Sequence, residues 1–250
     1  MSNYLVRVVL FSLLAWSATI APATAAERAA VKYRFKLPPS ADLVYSIKAR
    51  QSGLAINGDA LIQWNAANNK FSVTTETRAM LVGKILDAKS EGAIDEFGLA
   101  PVTFTEKRFR KAPTTASFNR QAKTISFTQS AQTYPIKGGE QDRNSAIWQL
   151  IAVARGNQAK FKPGSAWGFF VAGQHDAEQW TFKVTAQEKI GTPLGDMNAL
   201  HIERMAPPDS KGQHLDIWLA PSMEWYPVRL RYTDSDTEFI EQTLQKITKK

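Results

Sequence analysis

The 250-residue chain contains no cysteine. That excludes disulfides, thiolate catalysis and the acylated cysteine that tethers an exported lipoprotein. Histidine is nearly as scarce, at three residues, so imidazole-built sites have few places to form. The chain has no phosphate loop, no dinucleotide fingerprint, no G-x-S-x-G elbow, no S-x-x-K and no H-E-x-x-H. Together these absences favour a binding protein over an enzyme, and they imply no cofactor. Past the N-terminal segment, no apolar run approaches the roughly 20 residues of a membrane-spanning helix.

What is present begins at the N-terminus. Arg7 precedes the apolar run Val8 to Trp16, and Ala23-Thr24-Ala25 follows. A cation, a short apolar stretch and small residues at the −3 and −1 positions form a cleavable secretory signal. Cleavage is expected after Ala25 or Ala26. The expected organisation is a signal peptide over 1–25, an extended segment over 26–42 and a single β-rich domain over 43–250. The expected location is the periplasm, without lipidation and without a transmembrane segment after cleavage.

Lysine and arginine number 31 against 23 acidic residues, a formal charge of +8. Loss of the signal, which holds Arg7 and no acid, lowers it to +7. Export removes nucleic acid from consideration, which leaves phospholipid, lipopolysaccharide or another acidic envelope component as the anionic partner. The same charge also serves solubility alone. Oligomeric state is not legible.

Strand-length segments dominate. Leu43–Ala49, Ala60–Trp64 and Phe71–Thr77 are β-rich, and the second and third are joined by the Asn-rich turn 65–69. Further strands are expected from Val102, at Thr114–Phe118 and Thr124–Thr128, then at Trp180–Ala186, Ala199–Met205, Gln213–Ala220, Val228–Thr233 and Glu238–Leu244. Short strands and tight turns describe an antiparallel meander. Charges on the polar faces and unequal strand lengths argue against an outer-membrane barrel.

One segment has helical period. Ile147, Leu150, Ile151 and Ala154 fall at i, i+3, i+4 and i+7, with Asp142 or Asn144 to cap the start and Arg155-Gly156 to end it. One helix with one apolar face must pack on a sheet, here the concave side of a curved one. The expected fold is therefore mostly β, an open, strongly curved antiparallel sheet with one helix on its concave side. If that side is a groove for an acyl chain, Leu150 and Ile151 line it, Ile147 and Ile151 anchor the helix, and Trp148 lies near the mouth. A filled core accounts for the same residues.

Two clusters are candidates for chemistry. Period two puts His201 and Glu203 on one face of a hairpin, with His214 and Asp216 on the same face of the return strand. Two imidazoles and two carboxylates match a zinc site or a proton relay. A solvated face with cross-strand charge pairs accounts for them more simply, and it leaves both histidines dispensable for stability. In the basic run Lys107 to Lys111, a strand would place Arg108 and Arg110 on one face, two planar forks suited to phosphate. A charged hairpin tip that blocks edge pairing is the plain alternative.

Several short stretches resemble an exported bacterial family, domain of unknown function 3108. They are Gly98-Leu99-Ala100-Pro101, Gln141-Asp142-Arg143 ahead of the helix, Thr192-Pro193-Leu194-Gly195, and Ile217 to Pro221 followed by Tyr226 to Leu230. The resemblance extends from about Leu43 to the C-terminus. It implies a curved sheet embracing a helix, similar in shape to the half-barrels of periplasmic lipoprotein carriers, and it carries no catalytic residues over. Three functions follow for test. They are a binding or carrier protein for an apolar or lipid-like ligand, a structural or interaction protein of the envelope, and a metal-dependent hydrolase at His201, Glu203, His214 and Asp216.

Overall fold

The computed structural model describes residues 29–205, 214–235 and 237–250. The signal peptide expected over 1–25 and part of the strand expected from Gln213 lie outside them. Among the described residues, 15 strands form one sheet in the order β8-β7-β6-β5-β4-β3-β2-β1-β15-β14-β13-β12-β11-β10-β9. Every pairing is antiparallel except β9 with β10, and β8 and β9 remain unpaired edges, so the sheet is curved and unclosed.

The N-terminal half runs β1 (Ala41–Gln51), β2 (Leu54–Ala67), β3 (Lys70–Ala79), β4 (Gly83–Asp95) and β5 (Gly98–Arg108). Period two is clean where the sequence shows it: Leu43, Tyr45 and Ile47 in β1 and Ala60, Ile62 and Trp64 in β2 are buried. The expected Asn-rich turn tightens to Asn68 and Asn69, both left-handed at φ 52 and 57. Asparagine tolerates that conformation better than a branched residue does. Then come the short strands β6 (Thr114–Asn119), β7 (Thr124–Phe127), β8 (Ser130–Pro135) and β9 (Gln141–Asp142). Helix α1 (Ser145–Gly156) separates these from β10 (Ala166–Ala172), β11 (Ala177–Thr192), β12 (Gly195–Met205), β13 (His214–Leu219), β14 (Pro227–Ser235) and β15 (Glu238–Lys249).

β15 pairs with β1, which joins the two halves into one surface. The curvature brings the far arms together. β9 and α1 both lie against β5, and Phe104, Phe118, Ile125 and Phe127 pack with Ala172 and Ala177 from the other arm. The larger core surrounds α1 and includes Leu43, Trp64, Phe182, Ile202, Leu219 and Leu244.

The helix sits where the sequence puts it, but it is buried on nearly every side rather than on one face. Trp148, Gln149, Leu150, Ile151, Ala152, Val153 and Ala154 are all buried, and Ile147 is only partly so. The cause is tertiary, because a sheet that wraps around a helix contacts it from both arms. Residues 29–40 cover the remaining side: Lys36 N–H donates to Ala152 O at 2.9 Å and Trp64 Nε1 donates to Pro38 O at 3.2 Å. Gly156 ends the helix for a reason other than the expected stop. A Cβ there would meet Arg34 O at 2.7 Å, so glycine admits the crossing N-terminal segment.

Candidate functional site

The helix comes first, because the apolar candidates Trp148, Leu150 and Ile151 lie on it. Its start is held by an inward-pointing polar junction. Asn144 occupies the N-cap position without capping. Its side chain instead donates to Val73 O at 3.0 Å and accepts from Thr75 Oγ1 at 2.8 Å. Asp142 does the capping work: its Oδ1 accepts from the amides of Asn144 and Ser145, both at 2.8 Å. Its Oδ2 accepts from Ser90 Oγ of β4 at 2.5 Å. Burial pushes the Asp142 carboxyl up to about 6, against the opposing pull of these hydrogen bonds.

Gln149 Oε1 accepts from Leu99 N–H at 2.8 Å, Gln149 Nε2 donates to Phe97 O at 2.7 Å, and Gln141 Nε2 donates to Leu99 O at 2.7 Å. Gly98 is left-handed at φ 109, and a Cβ on it would meet Gln149 at 2.4 Å. The Gly98-Leu99 step and the Gln141-Asp142 step thus form one joint that fastens α1 to β4 and β5. Both family-like stretches lie within this joint.

Trp148 is 3% exposed, stacked on Trp64 with centroids 4.6 Å apart and edge-on to Tyr226. It does not lie at a groove mouth, because both arms of the sheet and the N-terminal segment close over it. Leu150 and Ile151 are fully buried. The three apolar candidates are therefore together, in a packed interior.

The histidine cluster lies on the outer face of β11, β12 and β13. Register sets His201 opposite Trp218 and Glu203 opposite Asp216. Leu215, Ile217 and Leu219 point inward, as their period requires. His201 Nε2 is 2.9 Å from Asp216 Oδ1, and its Nδ1 is 3.1 Å from Glu188 Oε1 on β11. The ring stacks on Trp218 at 4.4 Å, and Trp218 Nε1 donates to Glu188 Oε2 at 2.8 Å. Burial opposes the charged ring, but the Asp216 hydrogen bond and the charges of Asp216, Glu188 and Glu203 prevail and hold the His201 pKa above its ordinary value.

An imidazole with a carboxylate at each nitrogen is a clasp for a proton, not an open base. It links three neighbouring strands, β11, β12 and β13, through side chains on their outer face. His201, Glu203 and Asp216 could still offer one ligand atom each, all within 4.8 Å of one another. His214 does not join them. It sits at the start of β13 opposite Thr233, exposed, because its separation from His201 along the hairpin exceeds the reach of a ring. Glu188 is the member that sequence reasoning missed. Its strand continues beyond the expected end at Ala186 after a register shift between Val184 and Ala186, which period-two counting cannot see.

The two arginine candidates do not share a strand face. β5 ends at Arg108, and Lys111 N–H donates to Arg108 O at 3.0 Å to close a turn. Arg110 is left-handed at φ 55, with its guanidinium over the Phe109 ring. Arg108 Nε pairs with Glu106 Oε1 at 2.5 Å, and the same oxygen accepts from Gln174 Nε2. Beside them lies a cleft of about 290 Å³ lined by Arg108, Lys111, Thr114, Gln129, Gln174 and His175.

A second feature went unread in the sequence. Met80, Leu81 and Val82, between β3 and β4, are 78%, 97% and 51% exposed. Ala79 to Val82 reads as a continuous apolar run, but only Ala79 stays buried in β3, while Met80, Leu81 and Val82 form the turn that closes at Gly83, φ 80.

Three solved structures match the chain over most of its length. A protein described as exported, with a YmcC-like fold, from Bacteroides fragilis is 9% identical, with 88% of this chain and 100% of that one covered and a TM-score of 0.31. A protein described as a lipoprotein from Parabacteroides distasonis is 12% identical, with 87% and 100% covered and a TM-score of 0.33. A DUF1329 family protein from Desulfovibrio piger is 6% identical, with 85% and 86% covered and a TM-score of 0.31. Likeness at this level carries no functional argument. No curated protein matches the chain in sequence. The family model described as protein of unknown function DUF3108 matches residues 44–244, and the chain belongs to that family.

Proposed function

We propose that the chain is exported to the bacterial envelope and acts there as a binding protein for lipid-like envelope material, engaged from outside rather than carried within. The N-terminal signal pattern supports the address. The observation that carries the mode of binding is the filled concave side. Trp148, Leu150 and Ile151, the residues that would line a carrier groove, are packed against both arms of the sheet and are at most 3% exposed. A groove for an acyl chain needs an open apolar lining of several hundred Å³. The cleft of about 290 Å³ beside Arg108 is lined mainly by cationic and polar side chains, and a second of about 750 Å³ between Phe97, Arg120 and Ile136 lies away from Trp148, Leu150 and Ile151.

The hydrolase reading has less support, since both nitrogens of His201 already face carboxylates. A catalytic zinc needs a neutral ring with one nitrogen bare. Native mass spectrometry of protein purified from the periplasm tests the reading. The expected mass is that of the chain cleaved after Ala25 or Ala26, with no stoichiometric lipid or metal. Retained lipid would restore the carrier reading, and one equivalent of zinc would promote the hydrolase.

A further inference from the structure

Among the described residues, five of the nine exposed large apolar side chains, Leu54, Met80, Leu81, Val82 and Phe109, fall on three hairpin turns, while Val31, Val102, Leu194 and Met205 lie apart from them. In the antiparallel meander, the turns β1–β2, β3–β4 and β5–β6 emerge at one end of the sheet, as their registers require: Gln51 faces Leu54, Ala79 faces Gly83, and Leu86 faces Arg108 just before the β5–β6 turn. These three neighbouring tips carry Leu54 at 68% exposure, Leu81 at 97% and Phe109 at 44%, together with Met80 and Val82. Turns at the opposite end carry Asn68-Asn69, Glu96-Phe97 and Asn119 to Lys123; Leu194 is 42% exposed there, and Val31 of the N-terminal segment, beside Gly139, is 51% exposed. Hairpins two strands apart stand about 10 Å from one another, so three tips span a compact footprint.

Cations accompany the apolar tips. Arg50 is exposed beside Leu54, and Lys107, Arg110 and Lys111 surround Phe109. These four make no ion pair among the described residues, whereas Arg78 and Lys84 beside Leu81 share Glu76. Apolar side chains left exposed on hairpin turns gain nothing within the fold, and clustered exposure of this kind marks a contact surface. Fingers of Leu, Met and Phe flanked by unpaired Lys and Arg match a bilayer interface, where the apolar tips enter the acyl boundary and the cations meet phosphate. A second copy of the chain fits poorly, because two such rims would set unpaired cations against each other.

We infer that this rim, formed by Leu54, Met80-Leu81-Val82 and Phe109 with Arg50, Lys107, Arg110 and Lys111, docks the protein on a membrane surface rich in anionic phospholipid. The inference rests on the proposed binding role and names the surface and partner for it. The test is cosedimentation of the full secreted chain with vesicles of phosphatidylcholine, alone or mixed with phosphatidylglycerol. Wild type should partition to the mixed vesicles about tenfold better, and the excess should fall as salt rises.

Leu81→Asp with Met80→Asp should weaken mixed-vesicle binding about tenfold, and so should Arg110→Glu with Lys111→Glu. Leu194→Asp, at the far end, should bind as wild type. Unchanged thermal midpoints would show that the exposed substitutions leave the fold intact. If wild type binds and both rim variants bind equally well, the rim assignment is wrong while the binding role stands. Equal wild-type binding to both vesicles overturns the anionic partner. If wild type binds neither vesicle, the lipid-binding role itself fails.

Discussion

Two polar clusters stitch this sheet, one inside and one outside, and they use opposite physics. Asp142 is fully enclosed and accepts three hydrogen bonds, yet burial still raises its pKa to about 6. His201 is only partly buried, and neighbouring carboxylates raise its pKa against a burial effect that would lower it. Inside, the medium decides the protonation state; outside, the partners do. The inner cluster fastens the helix to β4 and β5, and the outer one joins β11, β12 and β13. One closes the fold across its concave side, while the other reinforces strands that already pair.

That contrast predicts the largest loss inside. Leu150→Ala removes a fully buried side chain beside the inner junction and should cost about 2–5 kcal/mol in denaturant unfolding. The loss should be the same with and without envelope lipid extract. A loss well below that range, or one that lipid reverses, would mean that the interior opens for a ligand.

Asp142→Asn probes burial directly. A raised carboxyl pKa means that the folded state holds its proton more tightly than the unfolded one. The Asp142 contribution is therefore greatest below the unfolded value near 3.8 and declines as pH rises to about 6. Across that window the stability difference between variant and wild type should move by about 3 kcal/mol in favour of the variant. Parallel pH curves for the two proteins would show that the junction is hydrated or already relaxed.

His201→Gln probes the outer clasp, with a smaller effect of about 1 kcal/mol near pH 6 because the site is partly solvated. The raised histidine pKa makes its contribution complete below the unfolded value of 6.5 and lost as pH rises through the higher folded value. The two declines thus occupy different pH windows, and each variant should erase only its own. A His201→Gln effect that persists unchanged at high pH would assign the clasp to Trp218 stacking instead of charge.

His214→Ala should be the quietest change, within about 0.5 kcal/mol and without effect on metal content. A larger loss would bring His214 back into the cluster from which its position on β13 separates it.

The strands easiest to read were those with clean alternation. Leu43, Tyr45 and Ile47 turn inward where period two puts them. β4 was not legible, because a register shift between Glu91 and Gly92 breaks its period. β10, Ala166 to Ala172, carries Trp167, Gly168, Phe169, Phe170 and Val171 in a near-continuous apolar run that gives no face. The outer cluster was half legible: His201, Glu203 and Asp216 follow from one hairpin, while Glu188 comes from the neighbouring strand across a bulge. The inner cluster was visible only as a cap and a family-like motif, with nothing local to pair Asp142 with Ser90.

By itself the sequence determined the periods. Strands alternate and one segment repeats as a helix because side-chain direction follows backbone geometry within a few residues. It also determined the absence of thiol chemistry and the inward faces of the hairpins. Tertiary structure alone decided that the helix is enclosed from both arms, that Trp148 lies inside a stack, and that His201 keeps its partners while His214 loses them. It alone brought three apolar turns, dispersed from Leu54 to Phe109, to one rim. Those outcomes depend on register and curvature accumulated across 15 strands, and a shift of one residue at any bulge turns a face over.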